Sequence, residues 1–147
     1  MTAFTHTRTV EIAWGDCDPA GIVFHPRYFE WFDAAAAALF ASATGQRKAE
    51  MLARYGALGF PVVETSASFQ VPCRFGDVVR ITSRVEEWKR SSFRLLHELH
   101  LDDALAVTGR STRVWTGRDP QDPSRIRAVP LPPDLVAMFN KQPEEKP

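Results

Sequence analysis

The acidic and thiol side chains that could do chemistry gather in one run, Gly15-Asp16-Cys17-Asp18-Pro19-Ala20-Gly21, with His25 close behind. A calcium-binding EF-hand loop also starts Asp-x-Asp and has glycine at its sixth position. Here the fifth position is Ala20 and the twelfth is Arg27, where that loop needs a bidentate glutamate, so calcium is rejected. Zinc needs three or four ligands, and Cys17, His25 and Cys73 are too scattered to supply them. Cys17 could be a nucleophile with His25 as its base, but nothing in the sequence lowers the thiol pKa. A packed, inert cysteine is the simpler reading.

For His25 the backbone matters more than the ring. Pro26 suits a first helical position. The free N–H groups and dipole of a helix start are aimed at negative charge, which is what a thioester carbonyl oxygen becomes during acyl transfer. Asp18 lies seven residues earlier, in a turn that can fold back over the helix start. Its carboxylate could attack a carbonyl or deprotonate a water. Spacing alone favours a plainer role, a turn aspartate bonding its own backbone.

These residues need elements to hold them. Val10, Ile12 and Trp14 alternate with Thr9, Glu11 and Ala13, which predicts a strand leading into the turn. A helix should run from Pro26 to about Ala43, with Gly45 just past its end. Phe29, Trp31, Phe32, Leu39, Phe40 and five consecutive alanines leave it almost no polar face, so something should wrap it. A short helix over Lys48–Tyr55, stopped by Gly56, is followed by four stretches of strand character: Phe60–Val71, Asp77–Trp88, Ser92–Leu101 and Leu105–Trp115. In the third, Phe93, Leu95, His97, Leu99 and Leu101 share one face. Short connections favour antiparallel pairing. After the loop Asp119–Ser124, Arg125–Leu131 reads as an edge strand limited by Pro130, and Pro133–Asn140 as a final helical turn or two. The expected fold is α+β: one antiparallel sheet curled around one long central helix, as a single domain over 1–140 with a disordered tail over 141–147. Open sheet edges call for a partner subunit.

Bulk properties set the class. The chain has 147 residues, 44% hydrophobic and 24% charged, an ordinary globular balance. Its formal net charge is zero, which argues against a dedicated nucleic-acid binder and does not oppose self-association. Between Arg74 and Arg127, however, stand 11 basic and eight acidic residues, a local surplus that suits a phosphorylated ligand or merely a solvated strand face. Two cysteines without a paired motif suggest a reducing, cytoplasmic setting. Met1–Arg8 has no apolar signal core, and the uncharged stretch Ala34–Gln46 is too short to span a bilayer.

The run from Gly15 to Val23, then Pro26, Tyr28, Trp31 and Asp33, resembles the hot-dog-fold acyl-CoA thioesterases of the 4-hydroxybenzoyl-CoA thioesterase type. The likeness continues through Gly56, Gly59, Pro61, Val63 and Ala67-Ser68-Phe69, and resumes at Glu87-Trp88, Arg90, Ser92 and Phe93. His25 also matches the related tol-pal-associated branch. The resemblance implies a sheet wrapped around a helix, edge-to-edge dimers and often tetramers. It implies that Asp18 is the catalytic carboxylate, as nucleophile or base, and that the His25 N–H polarises the thioester. It places Asp33 where that family meets a ring hydroxyl. Two features depart from the pattern: no tryptophan stands in Gln46–Lys48, and Phe60 replaces a threonine of the acyl pocket. The family's basic run for CoA phosphates is here Lys89-Arg90-Ser91.

The sequence therefore predicts a cofactor-free, metal-free acyl-CoA thioesterase acting on a short or aromatic acyl group. Asp18 and His25 are the candidate catalytic residues, and Gly21, Asp33, Phe60, Lys89 and Arg90 the candidate substrate contacts. A homodimer or homotetramer is expected, with no nucleic-acid partner and no membrane insertion. A non-catalytic acyl-CoA sensor and a hot-dog dehydratase are the rival readings, and fold alone does not separate them.

Overall fold

Five strands build one sheet: β1 (Thr5–Glu11), β2 (Val62–Phe69), β3 (Val78–Trp88), β4 (Ser92–Leu101) and β5 (Ala104–Val114); buried and exposed residues alternate along much of β3 and β5, and β4 buries most of its apolar side chains. The computed structural model describes residues 3–140, so the tail expected to be disordered lies outside the described residues. Every pairing is antiparallel, in the order β1-β3-β4-β5-β2. Short turns join β3 to β4 and β4 to β5, while the β2–β3 connection crosses the sheet and leaves β2 on the far edge.

Helix α1 (Pro26–Thr44) starts on Pro26 and stops at Gly45, whose φ of 70° is the left-handed end that glycine adopts freely. It lies on one face of the sheet. Tyr28, Phe32, Ala35, Ala36, Leu39 and Phe40 are buried, but Asp33, Ala34 and Ser42 stay exposed. The expected all-round wrapping is therefore one-sided within the protomer, because a five-stranded sheet covers only the helix face turned towards it. Helix α2 (Lys48–Tyr55) and helix α3 (Pro133–Met138) close one end, where Phe40, Phe60, Phe93 and Trp115 form an aromatic cluster.

Two local expectations are corrected. Trp14 does not extend β1: Trp14–Asp16 is a 3-10 turn, and Trp14 is 77% exposed with its ring edge-on to Phe75. Its alternation with Val10 and Ile12 lost to Asp16, whose Oδ2 accepts the Ala13 N–H at 2.9 Å and winds the chain tight. Arg125–Leu131 does not join the main sheet either. Within it only β7 (Ile126–Ala128) is a strand, and it pairs with β6 (Thr116–Arg118) as a separate ribbon that ends before Pro130.

The contact that seats α1 is a ring in a notch. Gly109 on β5 faces His97 on β4, and the Phe32 ring stacks on His97 at 5.1 Å with an interplanar angle of 5°. A Cβ on Gly109 would collide with Phe32 Cε2 and Cδ2, so only glycine leaves room for the ring. His97 shares a 2.6 Å hydrogen bond between its Nδ1 and Ser83 Oγ, and burial followed by the nearby Arg113 lowers its pKa to about 4.

Gly109→Ala is expected to cost about 1–3 kcal/mol by overpacking, read from urea unfolding midpoints at constant m-value. A wild-type midpoint would mean that Phe32 is not held against this strand. The His97 imidazole binds its proton more readily unfolded, near pH 6.5, than folded, near pH 4. Its contribution is thus complete above pH 6.5 and shrinks as pH falls towards 4, by on the order of 3 kcal/mol at most. His97→Gln should flatten that part of the stability–pH curve, and an unchanged slope would assign the acid sensitivity elsewhere.

Candidate active site

The turn before α1 is fixed by its own backbone. The Asp18 N–H donates to the Ile22 carbonyl at 2.9 Å and the Gly21 N–H to the Asp18 carbonyl at 2.9 Å. Gly21 takes a φ of 78°, a conformation other residues resist. Asp18 Oδ1 accepts the Ala20 N–H at 2.9 Å, while its Oδ2 has no hydrogen-bond partner among the described residues. The turn-aspartate role is therefore real, and it occupies one carboxylate oxygen. Asp16 is engaged more fully. Besides Ala13, its carbonyl accepts the Phe24 N–H at 2.8 Å, and its Oδ1 lies 3.6 Å from Arg27 Nε. It ties the turn to the helix. Cys17 forms a bridge with Val23, and its sulfur lies near the Ala13 carbonyl oxygen.

At the helix start the Arg27 N–H donates to the Phe24 carbonyl and the Tyr28 N–H to the His25 carbonyl. Pro26 has no N–H, and that of His25 has no partner among the described residues. The exposed His25 ring makes no cap hydrogen bond and sits edge-on to Phe24 and Phe69. Beside it opens a pocket of about 270 Å³ lined by Ile22, Val23, His25, Tyr28, Phe69 and Val71. Asp18 is not part of this lining but is hydrogen-bonded to Ile22, which is. Burial, then a hydrogen bond to Cys73, holds the Tyr28 phenol above its usual pKa, so it stays protonated at neutral pH.

Two further pockets lie along the same helix, with lining residues of their own. His25, Tyr28, Phe29, Phe32 and Asp33 follow one stripe of α1 at spacings of three and four residues, opposite β2. At the far end a pocket of about 160 Å³ has Phe29, Asp33, Thr65, His97 and Arg113 in its lining. A second, of about 320 Å³, takes in Asp33, Lys48, Phe60, Val62, Arg113 and Ile126. Asp33 Oδ1 accepts a 2.9 Å hydrogen bond from Arg113 Nη1. A protein donor thus already satisfies this carboxylate. Phe60 is only 2% exposed and presents one edge to the pocket, since its ring is packed against Phe40 and Trp115.

Lys89 and Arg90 are not brought to Asp18 within the protomer. Asp77, just before β3, accepts a hydrogen bond from Ile12 beside the Asp18 turn, while Lys89 and Arg90 follow the opposite end of that strand. Eleven extended residues separate the two ends by roughly 35 Å. Sequence reasoning missed Arg113 and His97 as pocket residues. A signal existed: Val107, Gly109, Ser111, Arg113 and Trp115 alternate on the inward face of β5 and its extension, which placed Arg113 inside.

Comparison with known proteins fits this architecture. A family model described as the thioesterase-like superfamily matches residues 12–139. The chain is 32% identical to the 4-hydroxybenzoyl-CoA thioesterase of Pseudomonas sp. strain CBS-3 over 137 residues, covering 90% of this chain and 95% of that one. The crystal structure of that enzyme superposes with a TM-score of 0.82 at 31% identity, covering 92% and 99% of the two chains. A gentisyl-coenzyme A thioesterase, BH1999, superposes with a TM-score of 0.76 at 29% identity, covering 92% and 100%. With a five-stranded antiparallel sheet packed on one long helix and a match spanning the turn, the helix and the sheet, the chain belongs to the thioesterase-like superfamily.

Proposed function

We propose that this protein hydrolyses an acyl-CoA thioester with an aromatic or short acyl group, giving the free acid and CoA. One observation carries the reading: a carboxylate oxygen and a backbone N–H, both without partners among the described residues, stand in one turn–helix unit, and the N–H belongs to a residue that lines an apolar pocket. The His25 N–H would donate to the thioester oxygen and stabilise the oxyanion as it forms. Asp18, as base, would take a proton from the water attacking the carbonyl carbon. Collapse of the tetrahedral intermediate would break the C–S bond and return the proton to the CoA sulfur. As nucleophile, Asp18 would instead attack the carbonyl carbon, break the C–S bond and release the CoA thiolate, leaving an acyl anhydride that water opens to the free acid and the Asp18 carboxylate. No cofactor enters either route. Gly21 keeps the turn closed, and Asp33 and Phe60 bound the acyl end.

A shared site across protomers supports the roles of Lys89 and Arg90. They stand too far from Asp18 to serve the same protomer's thioester, but a neighbour could bring them to it. The β2 edge offers the surface: Val62, Val63 and Phe69 are exposed on a strand with one side unpaired. The functional form would be a homodimer or homotetramer in the cytoplasm. No helix among the described residues is long and apolar enough to cross a membrane.

Asp18→Asn should lower kcat by ~10²–10⁴ with CoA-ester Kd and thermal transition nearly unchanged. Asp16→Asn should instead cost about 1 kcal/mol of stability and keep most turnover, because its bonds hold the turn. Near-normal turnover by Asp18→Asn, followed as thiol release, would dispose of the mechanism. Neutralising Lys89 and Arg90 together should raise KM more than it lowers kcat, and light scattering at micromolar concentration should give a dimer or tetramer. An unchanged KM would place the phosphates elsewhere; a monomer would remove the shared site.

A further inference from the structure

The distal pockets are built for an anion. Arg113 is 4% exposed, held by Asp33 through Nη1 and by Ser111 Oγ, at 3.2 Å, through Nε. Its Nη2 makes no hydrogen bond among the described residues, although the residue borders both distal pockets. Lys48 enters the larger pocket with its Nζ 4.4 Å above the Phe60 ring, and it has no ion pair among the described residues. Two cations thus face one carboxylate, Asp33, whose side chain is 63% exposed and already answered by Arg113. Arg110, in the smaller pocket, is taken up by Glu86. His97, 1% exposed on the same lining, leaves Nε2 without a partner. The rest of the larger pocket's lining is mostly apolar, with Leu58, Phe60, Pro61, Val62 and Ile126, and its Thr116 hydroxyl donates to the Gly59 carbonyl. A buried guanidinium with an unused donor, beside a second cation that has no ion pair among the described residues, favours an anionic ligand there.

Length fits as well. Asp33 lies eight residues along α1 from His25, or about 12 Å. That is the reach of an aromatic ring carrying a thioester at one end and an acidic group, with its hydrogen bonds, at the other.

Resting on the thioesterase reading above, we propose that Arg113 and Lys48 bind a carboxylate carried on the acyl group, so that the preferred substrate is a CoA monothioester of an aromatic dicarboxylic acid. Arg113 supplies the free Nη2 donors and Lys48 the balancing charge. Asp33 acts as a positioning residue that holds the guanidinium in place and does not itself read a substrate hydroxyl.

The test compares the 4-carboxybenzoyl, 4-hydroxybenzoyl and benzoyl thioesters of CoA as substrates of the full chain. The carboxyl ester should lead both others in kcat/KM by about tenfold, the size of a charge-assisted hydrogen bond. Lys48→Met and Arg113→Gln should each erase most of that ratio. Should Arg113→Gln fail to fold, the half-buried Lys48 still decides, since its removal unseats no hydrogen bond of the core. A preference for the hydroxyl or unsubstituted ester, or a carboxyl preference that survives Lys48→Met, would overturn the proposal. A calorimetric comparison separates the two readings. Monomethyl terephthalate should bind more tightly than methyl 4-hydroxybenzoate, and Lys48→Met should abolish the difference. If no thioester is cleaved but this difference appears, the hydrolytic reading fails and the carboxylate site stands. If thioesters are cleaved and the difference is absent, the reverse holds.

Discussion

The seat of Phe32 over Gly109 is the contact on which the rest depends. It fixes both the rotation and the distance of α1 relative to the sheet, because a ring stacked on His97 tolerates little sliding and the notch admits nothing larger than glycine. Once Phe32 is placed, the helical period places Phe29 and Asp33 on the distal pocket and His25 on the proximal one. Close packing transmits such constraints because interiors have few voids to absorb a shift. A single glycine on a strand thus governs a helix start two turns away.

The same seat buries polarity. His97 lies under the ring with Ser83 hydrogen-bonded to it, and Arg113 and Ser111 continue inward-facing positions on β5. Low dielectric favours the neutral imidazole and makes every hydrogen bond to the guanidinium count. An apolar residue at position 113 would pack well enough. The arginine, anchored by Asp33, therefore gives α1 two unlike pockets: an apolar one beside His25, and a charged one near α2. Polarity placed at only one end orients a long ligand.

The protomer also has an unfinished look that follows from its topology. The β2–β3 crossover leaves β2 with one unpaired side, and α1 keeps a face with Asp33 and Ala34 exposed. Trp14, Phe69 and Phe75 add exposed aromatic area near the Asp18 turn and the start of α1. Exposed aromatics and an open strand edge are surfaces that soluble proteins normally cover. The distance between the Asp18 turn and the Lys89–Arg90 turn has the same origin, since both lie beyond opposite ends of one long strand.

Much of this was legible in the sequence. Period-two alternation gave β4 its bounds, Ser92–Leu101, and gave β3 and β5 theirs to within one residue, because these strands bury one face and their neighbours flank them on both sides. Pro26, Gly45 and Gly56 marked helix ends by local backbone chemistry that tertiary contacts had no reason to change. The clustered Asp16, Cys17, Asp18 and Gly21 marked a turn with chemical potential, although the residues alone did not say which carboxylate was structural. That was decided by local contacts: Asp16 turns one carboxylate oxygen to the Ala13 N–H and the other to Arg27, while Asp18 keeps one free. Trp14 and the Arg125–Leu131 stretch misled because a side-chain bond and a separate ribbon overrode their apolar patterns. Only the tertiary structure could pair Asp33 with Arg113, 80 residues apart, or set His97 under Phe32. Local propensity acts over a few residues, whereas the charge of a pocket depends on which strand ends up beside which helix.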